Sequence, residues 1–150
     1  MCKSMLKHLF VFYFLFNVNL LADDYFLTLR NDKVNLRLGP SFDYPIKIVY
    51  KKKYLPVLVQ DKSDNFRKIK DHESNTGWIH ISQLSRKQSA LNIKKNSLIF
   101  VKPEIYSKPI VKMEIGRLVL IKKCNIKWCK IKTDKYSGWV MKKTLWGKIN

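Results

Sequence analysis

The residues that could carry catalysis or bind a metal are few in this chain. Beyond residue 22 the candidates are two histidines and two cysteines, His72, His80, Cys124 and Cys129. Four residues separate the two cysteines, whereas redox-active pairs usually have two intervening residues. No other cysteine or histidine lies nearby in the sequence to complete a tetrahedral metal site. We therefore predict a structural disulfide between Cys124 and Cys129, no metal site and no cofactor.

The acidic residues offer no paired-carboxylate arrangement. A glycosidase needs two carboxylates flanking the scissile bond, whereas the acids from residue 61 onward are scattered singly, at Asp61, Asp64, Asp71, Glu73, Glu104, Glu114 and Asp134. A cysteine nucleophile needs a base near its thiol, but both later histidines lie in the first repeat described below and both later cysteines lie in the second. These patterns predict that the protein is not an enzyme.

The composition is strongly basic but typical of a folded protein. The chain has 150 residues, of which 30 are Lys or Arg and 11 are Asp or Glu, so its formal charge is +19. Because 46% of the residues are hydrophobic and 13% are aromatic, the chain is not a disordered polybasic tail. Its length suffices for one ordinary domain or two very small ones. Compositional drift toward lysine would also produce this charge, so the charge alone identifies no partner.

The N-terminus has the pattern of a secretory signal peptide. Two lysines and no acid precede an unbroken apolar run over residues 9–16, and Ala22 stands just before two aspartates. We expect a signal peptide over residues 1–22 with cleavage after Ala22. An uncleaved membrane anchor is the alternative, but Asn17 and Asn19 interrupt a stretch that would need about 20 apolar residues. Export would place the mature chain in the periplasm or outside the cell, where thiols oxidise.

The elements that must position any site are short β-strands. No segment after Ala22 shows a sustained apolar period of 3.6 residues, whereas short alternating runs recur. In the first half they lie at residues 34–38, 46–50, 55–59, 66–70 and 77–81. The pattern predicts an all-β fold.

The strand pattern is repeated about 62 residues later. A Gly-Trp pair at Gly77 recurs at Gly138, each after an aromatic-x-x-Ile strand and before a closing leucine. Matching motifs in the same order indicate an internal repeat. We predict a first domain over residues 23–85, a polar linker over 86–96 and a second domain over 97–150. Units of this size favour small β-barrels.

The motifs of the first repeat resemble those of bacterial SH3-like domains. That family usually opens with an Asn-x-Arg-x-Gly-Pro run and closes with Gly-Trp-Val, as residues 35–40 and 77–79 do with one substitution. The second repeat matches more weakly, keeping Pro103, Gly116, Trp128, Gly138 and Trp139. The whole arrangement is similar to exported tandem SH3-like proteins of Gram-negative bacteria. The resemblance implies two small β-barrels, no catalysis and, in some relatives, binding to cell-wall peptidoglycan or peptides.

Aromatic residues in or beside the loops are the candidate ligand-binding residues. Loop aromatics beside a tryptophan can form a shallow groove for an extended peptide or glycan. The candidates are Phe42, Tyr44, Tyr50, Trp78, Tyr106, Tyr136 and Trp139. The alternative is that the two tryptophans cap barrel cores and the other rings are only partly buried.

Paired lysines at predicted turns and strand ends bear on the choice of partner. They lie at residues 51–53, 94–95, 122–123 and 142–143. Such lysines would attract anionic envelope polymer or lipid headgroups in a salt-sensitive way. We predict an exported binding module for peptidoglycan or peptide. A scaffold protein that docks an envelope protein is the alternative, and a basic nucleic-acid binder is disfavoured because export separates it from most nucleic acid.

Overall fold

Fourteen strands in two sheets make up the described part of the chain. The computed structural model describes residues 23–149, so the predicted signal peptide lies outside the described residues. The first sheet contains β1 (Tyr25–Leu29), β2 (Val34–Arg37), β3 (Ile46–Tyr50), β4 (Pro56–Ser63), β5 (Phe66–Lys70), β6 (Thr76–His80) and β7 (Leu84–Ser85). The second contains β8 (Ser89–Asn92), β9 (Ser97–Phe100), β10 (Pro109–Met113), β11 (Leu118–Cys124), β12 (Trp128–Lys132), β13 (Ser137–Met141) and β14 (Leu145–Gly147). The all-β prediction is confirmed.

The two sheets have the same topology. Their strand orders are β3-β2-β6-β5-β4-β1-β7 and β10-β9-β13-β12-β11-β8-β14, which match strand for strand, and all pairings are antiparallel. A short 3-10 turn, Ile81–Gln83 in the first half and Lys142–Thr144 in the second, precedes each last strand. We call β1–β7 the first unit and β8–β14 the second unit. Neither 3-10 turn, and no other helix among residues 23–149, is long and apolar enough to cross a membrane.

Alternation along the strands separates a buried face from an outer face. In β2, Val34 and Leu36 are fully buried, while the residues between and after them are half-buried. Neighbouring residues of a strand point to opposite faces, so each unit gathers one apolar side of its strands into a core. The first core contains Leu29, Val34, Leu36, Leu55, Val57, Val59, Ile69, Ile79, Leu84 and Leu91, and the second contains Ala90, Ile99, Met113, Val119, Ile121, Cys129, Ile131, Val140 and Leu145.

The glycine of each Gly-Trp motif lies where two strands approach closely. A Cβ atom at Gly77 would lie 2.7 Å from the carbonyl oxygen of Arg37 on β2. In the second unit, a Cβ at Gly138 would lie 2.6 Å from the carbonyl oxygen of Phe100 on β9. These distances are shorter than any normal contact, so only glycine allows β6 and β13 to pair with their neighbours. The motif is therefore a packing requirement of the sheet.

The predicted linker over residues 86–96 is wrong for Ser89–Asn92, which form strand β8. All four residues of β8 are buried, and Leu91 pairs with Leu118 of β11 and Trp146 of β14. The amino-acid composition of this segment did not indicate a strand, because basic residues flank it and its own serine and asparagine are polar. Asn92 satisfies its buried amide by donating to the carbonyl oxygens of Lys94 and Glu114, both at 2.9 Å.

The two units pack directly against each other. Leu91 of the second sheet is buried in the core of the first unit, and Leu118 and Trp146 pack against that core. The Trp146 ring also lies edge-on to Phe26 of β1, with ring centroids 4.9 Å apart. Across the same boundary, the Thr28 hydroxyl donates to the Lys87 carbonyl at 3.1 Å. A side chain of one unit therefore completes the core of the other.

Candidate ligand-binding groove

The Arg-x-Gly-Pro motif fixes the loop between β2 and β3. One guanidinium nitrogen of Arg37 donates to the carbonyl oxygens of Phe42 at 3.0 Å and Tyr44 at 2.8 Å, and the guanidinium lies over the Phe42 ring, 5.4 Å from its centroid. The Tyr44 ring occupies the space that a side chain at Gly39 would need, since a Cβ there would lie 2.5 Å from the ring. The arginine and the glycine together hold both aromatic residues of loop 38–45.

Loop 38–45 carries Phe42 into contact with the ends of two strands. The Phe42 ring lies 5.2 Å from that of Phe66, which begins β5, and 5.1 Å from that of His80, which ends β6. Phe66 and His80 are themselves 5.1 Å apart. Nδ1 of His80 also lies 2.7 Å from the Ser82 hydroxyl and accepts the Ser82 N–H, which caps the 3-10 turn. We call this convergence of loop, strands and turn the corner of the unit.

The second unit has the same corner with different side chains. Its hairpin loop is closed by a hydrogen bond from the Val101 N–H to the Lys108 carbonyl at 3.1 Å, the same length as the bond that closes loop 38–45. Counting along the loop from this bond places Ile105 where the first unit has Phe42. Trp128 begins β12 and Met141 ends β13, so they occupy the remaining two positions of the corner.

This second corner is open and forms a groove. The groove has a volume of about 540 Å³ and is lined by Ile105, Ile126, Lys127, Trp128, Met141, Lys142 and Lys143. Trp128 is buried and supplies the floor, held edge-on against Phe100 with ring centroids 5.5 Å apart. Ile105 is 56% exposed and Ile126 is 91% exposed, so apolar side chains stand unpacked along its sides. A groove of this kind suits an extended chain with small apolar groups.

A shallow hollow adjoins the groove on the far side of Met141. It also measures about 540 Å³ and shares Met141 and Lys143 with the groove. Its remaining lining comes from Phe100 and from the turn before β9, as Lys94, Lys95, Asn96, Ser97, Leu98 and Thr144. Groove and hollow together make a continuous apolar strip with a basic border.

The disulfide fixes one wall of the groove. Cys124 and Cys129 are direct partners across the β11–β12 hairpin and are joined, with their Cα atoms 4.0 Å apart. Between them, the Asn125 side chain accepts the backbone N–H of Lys127 at 2.9 Å and of Trp128 at 2.7 Å. The turn that presents Ile126 and Lys127 to the groove is therefore held by a covalent bond and by an asparagine cap.

The charge around this strip is all of one sign. Five lysines line the groove and the hollow, at Lys94, Lys95, Lys127, Lys142 and Lys143, and among the described residues no Asp or Glu lines either. Clustered like charges raise the local concentration of an oppositely charged ligand, and ions screen this attraction over about 8 Å at physiological salt. The strip therefore combines an apolar surface with a border of positive charge.

Five of the seven predicted site residues lie at or beside a corner. Phe42 and Tyr44 belong to the first corner, and Tyr106, 94% exposed, follows Ile105 in the loop of the second. Trp78 pairs with Arg37, and Trp139 pairs with Phe100, so each tryptophan shares the outer face of its sheet with the corner. Trp139 also lies under Lys123, whose ammonium is 5.7 Å from the ring centroid.

The other two, Tyr50 and Tyr136, lie at the opposite ends of the units. The Tyr50 hydroxyl donates to the buried carboxylate of Asp71 at 2.8 Å, beside loop 71–75, and its ring packs on the first core. Tyr136 lies in the corresponding loop of the second unit, where its backbone N–H donates to the Thr133 hydroxyl at 2.9 Å. The structure therefore does not bring either tyrosine to a corner.

Asp71 holds loop 71–75 together through its buried carboxylate. Burial by itself would raise the pKa of Asp71, but its carboxylate accepts hydrogen bonds from the Asn75 side chain, the Tyr50 hydroxyl and the backbone N–H groups of Asn75 and Glu73, at 2.8–3.0 Å. These bonds outweigh burial, so the pKa lies below its usual value. Burial, followed by the same bond to Asp71, raises the pKa of Tyr50. Residues 23–149 contain no group of His, Cys, Asp or Glu that could hold a metal.

Sequence reasoning missed several residues of the corners. Phe66, His80, Ile105, Ile126 and Met141 were not among the predicted ligand-binding residues because they are ordinary strand or turn residues in a linear reading. The signal that could have found them is the repeat itself, since the aromatic at Phe66 aligns with Trp128.

Comparison with known proteins identifies the family. The family model described as "Bacterial SH3 domain" matches residues 30–86 and again residues 94–147. The chain belongs to the bacterial SH3 domain family. The two tandem SH3-like segments correspond to the two units, so the predicted family and architecture are confirmed, and the repeated corner is a feature of both SH3 segments.

Individual relatives are more distant. No curated protein matches the chain in sequence. Similar solved structures include NlpC2 from Trichomonas vaginalis, with 14% identity over 84% of this chain and 49% of that chain and a TM-score of 0.38. An NlpC/P60 family protein from Bacillus cereus has 11% identity over 81% of this chain and 56% of that chain, with a TM-score of 0.38. The chain thus spans about half the length of these two proteins.

Proposed function

We propose that this protein is a non-catalytic, exported module that binds cell-wall peptidoglycan through the groove of its second SH3 unit. Membership of the bacterial SH3 family supports a cell-wall-associated role. The Cys124–Cys129 disulfide supports a location outside the cytoplasm, because disulfides persist in oxidising compartments. The same bond supports a non-catalytic role, since it leaves neither cysteine as a thiolate nucleophile.

The observation that carries the proposal is an open apolar groove beside five lysines. Peptidoglycan stem peptides combine small apolar side chains with free carboxylates. The Trp128 floor and the exposed Ile105 and Ile126 side chains would cover the apolar groups, and Lys127 and Lys143 would lie close to the carboxylates. The lysines would chiefly increase the rate at which the peptide associates with the groove and orient it there. The apolar contacts would slow its dissociation.

Sedimentation with purified peptidoglycan tests this function. We expect the protein to pellet with insoluble wall material at low salt and to be released progressively as salt rises, because surface charges are screened. Heparin and single-stranded DNA serve as unrelated polyanions. Equal amounts of protein in the supernatant with and without wall would refute the function, and retention by every polyanion alike would reduce it to bulk charge attraction.

The exposed apolar side chains also favour a second candidate, docking of another envelope protein. Ile126 and Tyr106 are 91% and 94% exposed, and such side chains are common where proteins associate. In this case crosslinking in cells followed by mass spectrometry should recover one protein partner attached near the groove. Recovery of glycan-linked material alone would exclude this candidate.

A further inference from the structure

The two corners differ in their side chains, and this difference gives the two units different roles. Resting on the proposed function, we propose that the second unit alone binds the ligand, an anionic peptide, and that the first unit is a closed support. The inference goes beyond the family fold because both units have the same topology. Only the side chains at equivalent positions distinguish them.

In the first unit Phe42 occupies the corner itself. Its ring contacts Phe66 and His80 at centroid distances of 5.2 and 5.1 Å, and Arg37 holds it from the other side. The carbonyl of the same residue accepts a hydrogen bond from Arg37 at 3.0 Å. A ligand would have to displace the ring and break these contacts before it could reach Phe66.

In the second unit the loop is not held in this way. Phe100 replaces Arg37 at the strand position and packs edge-on against Trp128, so no guanidinium draws the loop inward. Ile105 replaces Phe42; the two side chains are similarly exposed, at 56% and 61%, but Phe42 packs on two rings of its corner whereas Ile105 lines the groove. Loop 101–108 is instead braced within itself, by a bond from the Lys102 N–H to the Ser107 hydroxyl at 2.8 Å. Trp128, although 7% exposed, lines the groove that this leaves.

The lysines of the groove are also missing from the equivalent positions of the first unit. A backbone bond joins the Lys142 N–H to the Lys127 carbonyl at 2.8 Å, and the corresponding bond of the first unit, also 2.8 Å, joins Ile81 to Asn65. Lysines therefore stand where the first unit has an uncharged turn residue and an isoleucine. The next residue of the 3-10 turn is Lys143 in the second unit and a serine in the first.

The sign of these charges selects the ligand. No described Asp or Glu lines the groove; Glu104 lies in the same loop as Ile105 but outside the lining. A peptide with free carboxylates gains favourable contacts with this border, whereas one with its carboxylates amidated gains only the apolar contacts. The occupant is therefore an anionic peptide, of which a peptidoglycan stem is the source that the proposed function implies.

The first unit supports the second through the buried boundary. Leu91 of β8 is only 1% exposed and lies in the first core. Without the first unit, this strand of the groove-bearing sheet would lose the apolar cover of Leu91, at a cost in free energy that scales with the exposed area. In this proposal the first unit stabilises the second, and the second unit binds the ligand.

Titration of the exported protein with a purified disaccharide-tetrapeptide from peptidoglycan tests the division, with the amidated peptide as the second probe. We expect Lys127→Glu with Lys143→Glu to raise the Kd for the free-carboxylate peptide at least about tenfold, and Ile105→Ala to raise it about tenfold.

The control variants should leave binding nearly unchanged. Phe42→Ala, in the first unit, should change the Kd for the free-carboxylate peptide less than about twofold. The charge-matched control is Lys132→Glu with Lys135→Glu, at the opposite end of β12, which should also change it less than about twofold. The amidated peptide should bind about tenfold more weakly than the free one.

The following outcomes would overturn the proposal or part of it. If both double lysine variants weaken peptide binding equally, the affinity comes from the overall charge of the protein and not from the groove. If Phe42→Ala lowers the affinity as much as Ile105→Ala does, both units bind the ligand. Equal affinity for both peptides would reject the anionic ligand. If wild-type protein and the groove variants pellet equally well with the wall, the division and the assignment of binding to the groove fail, while wall binding by the protein stands. If the wild type neither pellets nor binds the peptide, both fail. Circular dichroism and a thermal melt confirm that each variant is folded.

Discussion

Removing the Cys124–Cys129 disulfide should lower the free energy of unfolding by an amount that follows from the length of the loop that the bond closes. The bond joins direct partners across the β11–β12 hairpin, with a sequence separation of 5. The stabilisation from a cross-link grows with the logarithm of the loop that it closes, and a loop this short corresponds to about 2 kcal/mol at 25 °C. We expect the variant Cys124→Ser with Cys129→Ser to lose that amount of unfolding free energy.

The corresponding change in melting temperature depends on what unfolds together. Leu91 and Trp146 of the second unit pack on the core of the first, so we expect residues 23–149 to unfold in a single transition. With an unfolding entropy of about 2.1 cal/mol/K per residue, a loss of 2 kcal/mol then lowers the Tm by about 7 °C. If the second unit unfolded alone, the same loss would lower its Tm by about 15 °C.

Differential scanning calorimetry distinguishes these cases. The wild type is scanned oxidised and with a phosphine reductant, and the double serine variant is scanned under both conditions. We expect one peak in every scan, with the reduced wild type and the variant both about 7 °C below the oxidised wild type. The reductant should not move the variant, which serves as its control. Two separate peaks, only one of which shifts, would refute the shared boundary, and an unchanged Tm would refute the stabilising role of the bond.

Further predictions concern buried polar groups and the strand crossing. Asp71→Ala should lower the free energy of unfolding by about 3 kcal/mol in urea titrations, because it leaves the Tyr50 hydroxyl and backbone N–H groups without their acceptor. The pKa of Asp71 is lowered in the folded protein, so its stabilisation is complete above the unfolded value of 3.8 and is lost as pH falls through the lower, folded pKa; Asp71→Asn should flatten that acid dependence below about pH 4. Asn92→Asp should cost about 3 kcal/mol, since a buried carboxylate would face the carbonyls of Lys94 and Glu114, whereas the exposed Asn96→Asp change should cost less than about 0.5 kcal/mol. Gly138→Ala should cost about 2 kcal/mol or more, because its Cβ would lie 2.6 Å from the Phe100 carbonyl oxygen, and a thermal melt no lower than wild type would contradict the close approach.

Much of the fold was predictable because its determinants are local. Alternation in β2, with Val34 and Leu36 facing inward, is a property of consecutive residues, and the pleat of a strand converts it directly into a buried face. The disulfide was predictable for a similar reason, since two cysteines beside a short turn must meet if the flanking segments form a hairpin. Strand β8 was not predictable in this way, because the apolar cover of Leu91 comes from the other unit.

The sequence by itself determined most of the strands, the repeat, the family and the loop aromatics, all of which depend on neighbouring residues or on fixed motifs. Only the tertiary structure decided that the two copies differ at their corners. Phe42 meets Phe66 and His80, whereas Ile105 stands beside Trp128 and leaves a groove. The physical reason is that a corner is assembled from a loop, two strand ends and a turn that are far apart along the chain. Whether it is filled or open depends on the size and direction of side chains that meet only after the sheet has formed.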